Sequence, residues 1–245
     1  MLKRPLHNAA VWLLAAAHAL VVVSCSASQV GDEARPGAAD PGRTPDWAAS
    51  VAGGGRCIEP TDLTASEREV LAYTNALRTQ PHKFAEHLEA LRPRFEGTLM
   101  RLGPTEFLRT HEGIAAVDEA IAALKAQNPL QPLRFCKGLT DAARDHARDS
   151  GPSGRTGHQG TDGSWPHQRV SRHGKWFIAT GENISYGWSD GLQVVIQLVV
   201  DDGVPSRGHR SNLLNPVFAV SGAGCGPHQA LRHLCVVEYA GDFAE

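Results

Sequence analysis

The first half of the chain carries apolar residues at helical spacing. Val70, Tyr73 and Leu77 recur every three or four residues; Thr64-Ala-Ser-Glu67, which has the form of a capping box, precedes them, and Pro81 follows. This order of start signal, apolar face and stop signal predicts a helix that ends near Pro81. Apolar positions with the same period predict further helices over residues 83–91, 114–125, 139–147 and 191–200.

The second half combines a polar stretch with apolar runs. Residues 151–175 are dense in Gly, Ser, His and Arg, and a polar segment of this length is typical of a functional loop. Residues 218–224 and 234–239 are apolar runs that predict β-strands. Because helices come first and strands come late, the pattern predicts an α+β fold rather than alternating βαβ units.

The N-terminal segment, residues 1–25, has the organisation of a signal peptide. Basic residues precede an apolar stretch over residues 9–23, which is short for a membrane-spanning helix of about 20 apolar residues. The stretch ends in Val-Val-Ser-Cys25, which resembles a bacterial lipobox, in which the cysteine becomes the lipidated first residue of the mature protein. Cleavage by the ordinary signal peptidase near residues 24–28 is the alternative.

A linker separates this segment from the folded part. Residues 26–56 are rich in Gly, Ala, Pro and Asp and contain one large aromatic residue, Trp47. Such a segment cannot bury enough apolar surface to fold, so it predicts a flexible tether. The folded domain is therefore expected over residues 57–245.

The cysteine count fits an exported protein. Removal of Cys25 from the five cysteines leaves an even number, enough for two disulfides in an oxidising compartment. Cys225 and Cys235 flank a short segment between the two strand-like runs, so a bridge across a hairpin is predicted. That leaves Cys57 with Cys136, a bridge that would join the start of the folded domain to its middle.

Charge limits the classes of partner. Lys and Arg number 24 and Asp and Glu number 26, so the formal net charge is −2, and no long run of one sign occurs. Nucleic acid is excluded as a partner because its phosphates call for a basic stripe. The 12 histidines direct attention to metal binding and acid–base chemistry.

Three polar clusters place an ionisable side chain close to glycine. His158 lies in TGHQGTDGS, Glu182 in GENI and His209 in DDGVPSRGHRSN. Glycine allows tight turns, so side chains from separate loops can be directed into one cleft. Ser189 lies in GWSDG, which matches the nucleophile motif of α/β-hydrolases, but the mainly helical upstream chain offers none of the parallel strands that this motif needs. Ser189 is therefore interpreted as a helix N-cap.

The order of the motifs resembles that of the CAP superfamily. This superfamily includes cysteine-rich secretory proteins, antigen 5 and plant pathogenesis-related proteins, and the chain is most similar to its bacterial branch. The resemblance covers residues 60–243 and rests on NALRTQP, LTDAARDHA, GHQGTDGS, GENISYG, DDGVPSRGHRSNLLNP and CVVEYA. It implies an α-β-α sandwich with a central antiparallel sheet. It also implies an open cleft with a tetrad that falls on His158, Glu182, Asp201 and His209, with Asp202 as a rival for the second acid.

The tetrad has two chemical interpretations. His158, His209 and Glu182 are candidate ligands for a divalent metal such as zinc. Without metal, the four groups could activate a water molecule or brace the loops that carry them. The leading hypothesis is an exported cell-envelope module that binds an envelope ligand in this cleft and contacts the membrane through a lipid on Cys25. The alternative is a metal-assisted, peptidase-like hydrolase in which the tetrad is catalytic.

Overall fold

The computed structural model describes residues 11–13 and 57–245. The predicted lipidation site Cys25 and the linker lie outside the described residues, as does the rest of the predicted signal peptide. No helix in these described segments is long and apolar enough to cross a membrane. In chain order the elements are β1 (Val11–Leu13), α1 (Ala65–Thr79), α2 (Pro81–Glu89), a 3-10 turn (Arg92–Arg94), β2 (Phe95–Glu96), β3 (Leu99–Arg101), β4 (Phe107–Arg109), α3 (Ile114–Ala126), β5 (Arg134–Phe135), α4 (Lys137–Ser153), α5 (Pro166–Ser171), β6 (Lys175–Tyr186), α6 (Gly191–Val200), α7 (Gly208–Leu213), β7 (Val220–His228) and β8 (Arg232–Ala244).

The long helices follow the apolar patterns of the sequence. At the start of α1, Thr64 Oγ1 accepts a hydrogen bond from the Glu67 backbone at 3.3 Å, and Glu67 Oε2 accepts one from the Thr64 backbone at 2.8 Å. This capping box satisfies N–H groups that a first helical turn leaves without partners. α6 spans the predicted residues, but its N-cap is Asp190, whose side chain accepts a backbone N–H of the first turn. The N-cap interpretation of Ser189 is therefore wrong by one residue.

The central sheet has the strand order β5-β7-β8-β6. β6, β7 and β8 are antiparallel, and the two-residue β5 joins β7 in parallel. Side chains of β8 alternate between the two faces of the sheet: Cys235, Val237 and Tyr239 join the core with α1 and α6, whereas Leu234 and Val236 pack against α4. Helices therefore cover both faces of the sheet, and the α+β fold with its α-β-α layers is confirmed.

The polar stretch over residues 151–175 contains more regular structure than its composition predicts. α4 extends to Ser153, and α5 forms within the stretch. β6 begins at Lys175 and pairs with β8 along its length, although its sequence shows a strand-like run only at its C-terminal end. The pairing partner, rather than a local apolar alternation, makes this segment a strand.

Residues 92–126 form an insertion beside the main sandwich. Its three strands, β2, β3 and β4, form a small sheet together with β1, in the order β1-β4-β3-β2, and the chain then enters α3. Arg207, in the loop before α7, contacts Glu112 and Glu119 at 2.7 and 2.6 Å. Asp202 accepts two backbone N–H groups from the loop after β4, at 2.7 and 2.8 Å. These contacts fix the insertion against the loop that precedes His209.

Both predicted disulfides are present. The N-terminal disulfide joins Cys57 to Cys136 across 79 residues, and the hairpin disulfide joins Cys225 to Cys235 across 10 residues. The first attaches the beginning of the domain to the start of α4. The second lies between directly opposed residues of β7 and β8.

Candidate functional site

The first half of the site is a buried imidazole–carboxylate pair. His158 Nδ1 lies 2.6 Å from Glu182 Oε1, and Arg169 Nη2 lies 2.6 Å from Glu182 Oε2. Arg169 Nη1 also donates to the backbone carbonyls of His158 and Ser164, both at 3.0 Å. All three side chains of this ion-paired group are at least nine-tenths buried. One arginine from α5 therefore holds both the carboxylate on β6 and the loop that carries the histidine.

The charge on Glu182 is set by these neighbours. Burial by itself would raise the pKa of Glu182, but the hydrogen bond with His158 and the charge of Arg169 outweigh it, so the pKa lies well below its usual range. Glu182 is thus ionised at neutral pH and orients the His158 ring through Nδ1. Within the described residues, Nε2 of this ring has no hydrogen-bond partner.

The second half of the site joins α6 to α7. Asp201 ends α6 with a left-handed φ of 59°, a conformation that Asp adopts more readily than most residues. Its Oδ1 lies 2.6 Å from His209 Nδ1, and its Oδ2 accepts the backbone N–H groups of His209 and Arg210 at 2.9 and 3.2 Å. Asp202 instead accepts backbone N–H groups of the insertion. Of the two rival acids, the structure brings Asp201 to the histidine.

Asn183, which sequence reasoning passed over, links the two halves. Its Nδ2 donates to the His209 carbonyl at 3.0 Å, and its Oδ1 accepts from Asn212 Nδ2 at 2.9 Å. The strand that carries Glu182 is thereby tied to the helix that carries His209. The sequence signal that could have identified Asn183 is its position directly after the glutamate of GENI.

Both histidines line one cavity of about 490 Å³. Asp201 also lines it, whereas Glu182 is not among the lining residues and acts on the cavity through His158. The structure therefore brings three of the four predicted residues to one hollow. Most of the remaining wall is apolar and comes from Leu91, from Phe95, Met100 and Leu108 of the insertion, and from Ile196 and Leu198 of α6.

The predicted metal ligands His158, His209 and Glu182 can be compared with the donors that zinc requires. Both Glu182 oxygens are engaged, one by His158 and one by Arg169. Across the described chain, no three His, Cys, Asp or Glu side chains form a group that could hold a metal ion. Two imidazole Nε2 atoms fall short of the three protein ligands of a catalytic zinc site. The residues present therefore do not complete such a site, and metal binding stays a prediction.

Glu238 is a second carboxyl group beside Glu182, and sequence reasoning missed it. The two residues are direct partners in the β6–β8 register, and Glu238 is fully buried. Burial, together with the negative charge of Glu182, raises the pKa of Glu238 well above its usual range. Neither Glu238 oxygen accepts a hydrogen bond from a described residue. A Glu238 that keeps its proton is uncharged and can donate a hydrogen bond to the ionised Glu182. The signal in the sequence was an acid inside an apolar strand.

Comparisons with known proteins agree with this fold. The sequence profile of the cysteine-rich secretory protein family, CAP, matches residues 71–239. Uncharacterized protein YkwD of Bacillus subtilis (strain 168) is 31% identical over 108 residues, which cover 44% of this chain and 40% of that protein. The chain thus spans less than half of that curated relative.

Two solved structures also match. One is an extracellular protein containing an SCP domain from Bacillus anthracis str. Ames, with 24% identity and a TM-score of 0.38 over 45% of this chain and 34% of that one. The other is an outer surface protein from Borrelia burgdorferi, with 22% identity and a TM-score of 0.38 over 52% of this chain and 89% of that one.

Proposed function

The chain belongs to the cysteine-rich secretory protein (CAP) family, and on this premise we propose that it is an exported module that binds a cell-envelope ligand in the cavity beside His158 and His209. The observation that carries the proposal is the shared cavity. Two imidazoles, one from a loop and one from α7, line it, and each is held through Nδ1 by an acid. Ring nitrogens with fixed orientation, set in a mostly apolar wall, are typical of a ligand site with a few well-placed polar groups.

Two features of the chain support export. The domain contains two disulfides, which persist in oxidising compartments outside the cytosol. The first 25 residues have the organisation of a signal peptide that ends in a lipobox-like sequence. We include lipidation of Cys25 in the proposal, because an acyl chain there would hold the domain at the membrane through the linker.

The test measures retention on isolated envelopes. The chain from residue 26 onward lacks the proposed anchor and keeps both disulfides and the three hydrophobic clusters of the domain. It is mixed with washed envelopes, sedimented and quantified. His209→Ala removes a ring from the cavity wall, and loss of one central contact is expected to weaken retention about ten-fold. His82→Ala, at an exposed position on α2, is the matched control and should leave retention unchanged.

Two results would contradict the proposal. One is equal retention of the unsubstituted chain, His209→Ala and His82→Ala. The other is loss of the helical signal in the far-ultraviolet circular dichroism spectrum of both His209→Ala and the conservative variant His209→Gln. That result would show that the Asp201–His209 pair braces the fold.

A hydrolase is the second candidate. It is favoured by the arrangement of His158, whose Nδ1 is held by an ionised Glu182 and whose Nε2 has no partner among the described residues. A histidine oriented in this way is suited to accept a proton from water. Turnover of a peptide library, measured with chelator and then with added zinc, separates the candidates: turnover abolished by His158→Ala supports the hydrolase, and binding without turnover supports the module.

A further inference from the structure

The edge of β4 receives a strand from a distant part of the chain. β4 pairs with β3 on one side, with Met100 opposite Leu108, and its other side pairs in parallel with β1. In that register Val11 lies opposite Phe107, 96 residues further along the chain, and Leu13 lies opposite Arg109. Addition of a strand to an exposed sheet edge is a general mode of peptide recognition, in which backbone hydrogen bonds supply affinity.

This edge belongs to the wall of the cavity described above. Leu108 and Arg109 of β4 line the cavity, as do Thr110 and His111, which follow them. The loop after β4 is fixed to Asp202, the neighbour of the acid that holds His209. A chain that pairs with β4 in parallel runs in the same direction as β4, so its residues beyond the paired segment follow the course of Thr110 and His111, which line the cavity.

The wall also defines what kind of side chain fits. Apolar side chains line the cavity beside β4, and these include Leu91, which directly precedes the insertion, Phe95 and Met100 of the insertion, and Ile196 of α6. A strand presents alternate side chains to one face, so an occupant of this edge would place every second residue in the apolar space. The segment that pairs there, Val11-Trp12-Leu13, consists of three apolar residues.

We propose that β4 and the adjacent apolar wall bind an extended apolar peptide in parallel register, with its C-terminal end directed toward His158 and His209. Val11–Leu13 is the occupant in cis, and removal of the predicted signal peptide would leave the edge open to a peptide in trans. The inference rests on the proposed function, because it names the ligand class of the same cavity.

The test uses a synthetic peptide with the sequence of residues 9–16, AAVWLLAA, preceded by three lysines for solubility and labelled with a fluorophore. Binding to the chain from residue 26 onward is followed by fluorescence anisotropy. Three further peptides each carry one backbone N-methyl group, at Val11, Trp12 or Leu13. Because a strand directs its N–H groups alternately to opposite sides, methylation should weaken binding about ten-fold at alternate positions and leave the intervening ones unchanged.

A pair of protein variants tests the same edge. Leu108→Arg places a charge in the cavity wall and should abolish measurable binding. Leu99→Arg, on the neighbouring strand β3, is the matched control, because Leu99 is not a lining residue. The N-methyl series needs no protein variant, so it decides the matter even if Leu108→Arg fails to fold.

The outcomes distinguish failure of peptide binding at β4, the docking edge, from failure of the proposed function. Equal effects of methylation at all three positions would overturn the assignment of a peptide bound as a strand. If palmitic acid also displaces the peptide, the cavity is an acyl-chain site instead. Absence of peptide binding with His209-dependent envelope retention would overturn the docking edge alone. Periodic peptide binding without envelope retention would support the edge and overturn the envelope function.

Discussion

Replacement of Glu238 by glutamine should make the domain more stable at neutral pH. Glu238 is fully buried opposite Glu182, and burial with that neighbouring charge raises its pKa well above the usual range. The folded chain therefore keeps a proton on Glu238. A carboxamide has nearly the same shape and can donate a hydrogen bond to Glu182 without binding a proton. Arg169, which also acts on this group and lowers its pKa, is unchanged in the variant.

The magnitude follows from proton linkage. A glutamate in the unfolded chain titrates near pH 4.5. Above that pH the unfolded chain has lost a proton that the folded chain retains, so the free energy of unfolding falls as the pH rises. The slope is at most about 1.4 kcal/mol per pH unit until the pH passes the raised folded pKa. From pH 5 to pH 7 the free energy of unfolding of the unsubstituted chain should therefore fall by up to about 2.7 kcal/mol, and this decrease should be absent in Glu238→Gln.

Urea unfolding at pH 5, 6 and 7, followed by tryptophan fluorescence in the presence of chelator, measures this difference. The lowered pKa of Glu182 acts in the opposite direction, but its contribution is lost only as the pH falls below about 4.5 and is common to both proteins. Glu86→Gln, at an exposed position on α2, is the control and should shift stability by less than about 0.5 kcal/mol at every pH. A stability difference between Glu238→Gln and the unsubstituted chain that stays constant from pH 5 to pH 7 would refute the reasoning.

Two further predictions concern stability. Arg169→Met leaves the buried carboxylate of Glu182 without its cation and should lower the free energy of unfolding by about 3–5 kcal/mol, whereas Arg172→Met, at an exposed ion pair, should change it by less than about 1 kcal/mol in the same urea titration. Each disulfide can be removed by replacing its two cysteines with alanine. The free energy of unfolding should fall by about 4.5 kcal/mol for the N-terminal disulfide and by about 2.7 kcal/mol for the hairpin disulfide, because their loops span 79 and 10 residues. Equal losses in calorimetry would contradict this dependence on loop length.

The helices could be predicted from the sequence because their signals are local. The capping box at Thr64, the apolar period of α3 and the run over α6 each lie within a short window of sequence. β6 could not be predicted to its full length, because most of its residues become a strand only by pairing with β8, more than 50 residues later. Likewise, α5 is a six-residue helix within a polar stretch, and its sequence shows no apolar face that would predict a helix.

The two halves of the site also differ in how far apart their residues lie in the sequence. Asp201 and His209 are eight residues apart at the facing ends of α6 and α7, and one carboxylate both caps the helix and holds the ring. The resemblance to the family left Asp201 and Asp202 as rivals for the second acid. Asp202 binds backbone N–H groups of the insertion, whereas Asp201 holds His209.

The pair of His158 and Glu182 depends on groups that no local pattern joins. Its cation comes from α5, and its neighbouring carboxyl comes from β8, 56 residues beyond Glu182 in the chain. In the sequence Arg169 looks like an ordinary surface residue, and Glu238 is an acid inside an apolar strand with no evident partner. The position of α5 and the register of the sheet place both around one carboxylate. A buried glutamate with a positive and an uncharged acidic neighbour is ionised where burial alone would protonate it. Because that ionised group holds Nδ1 of His158, the chemistry available at the cavity is determined by residues that do not line it.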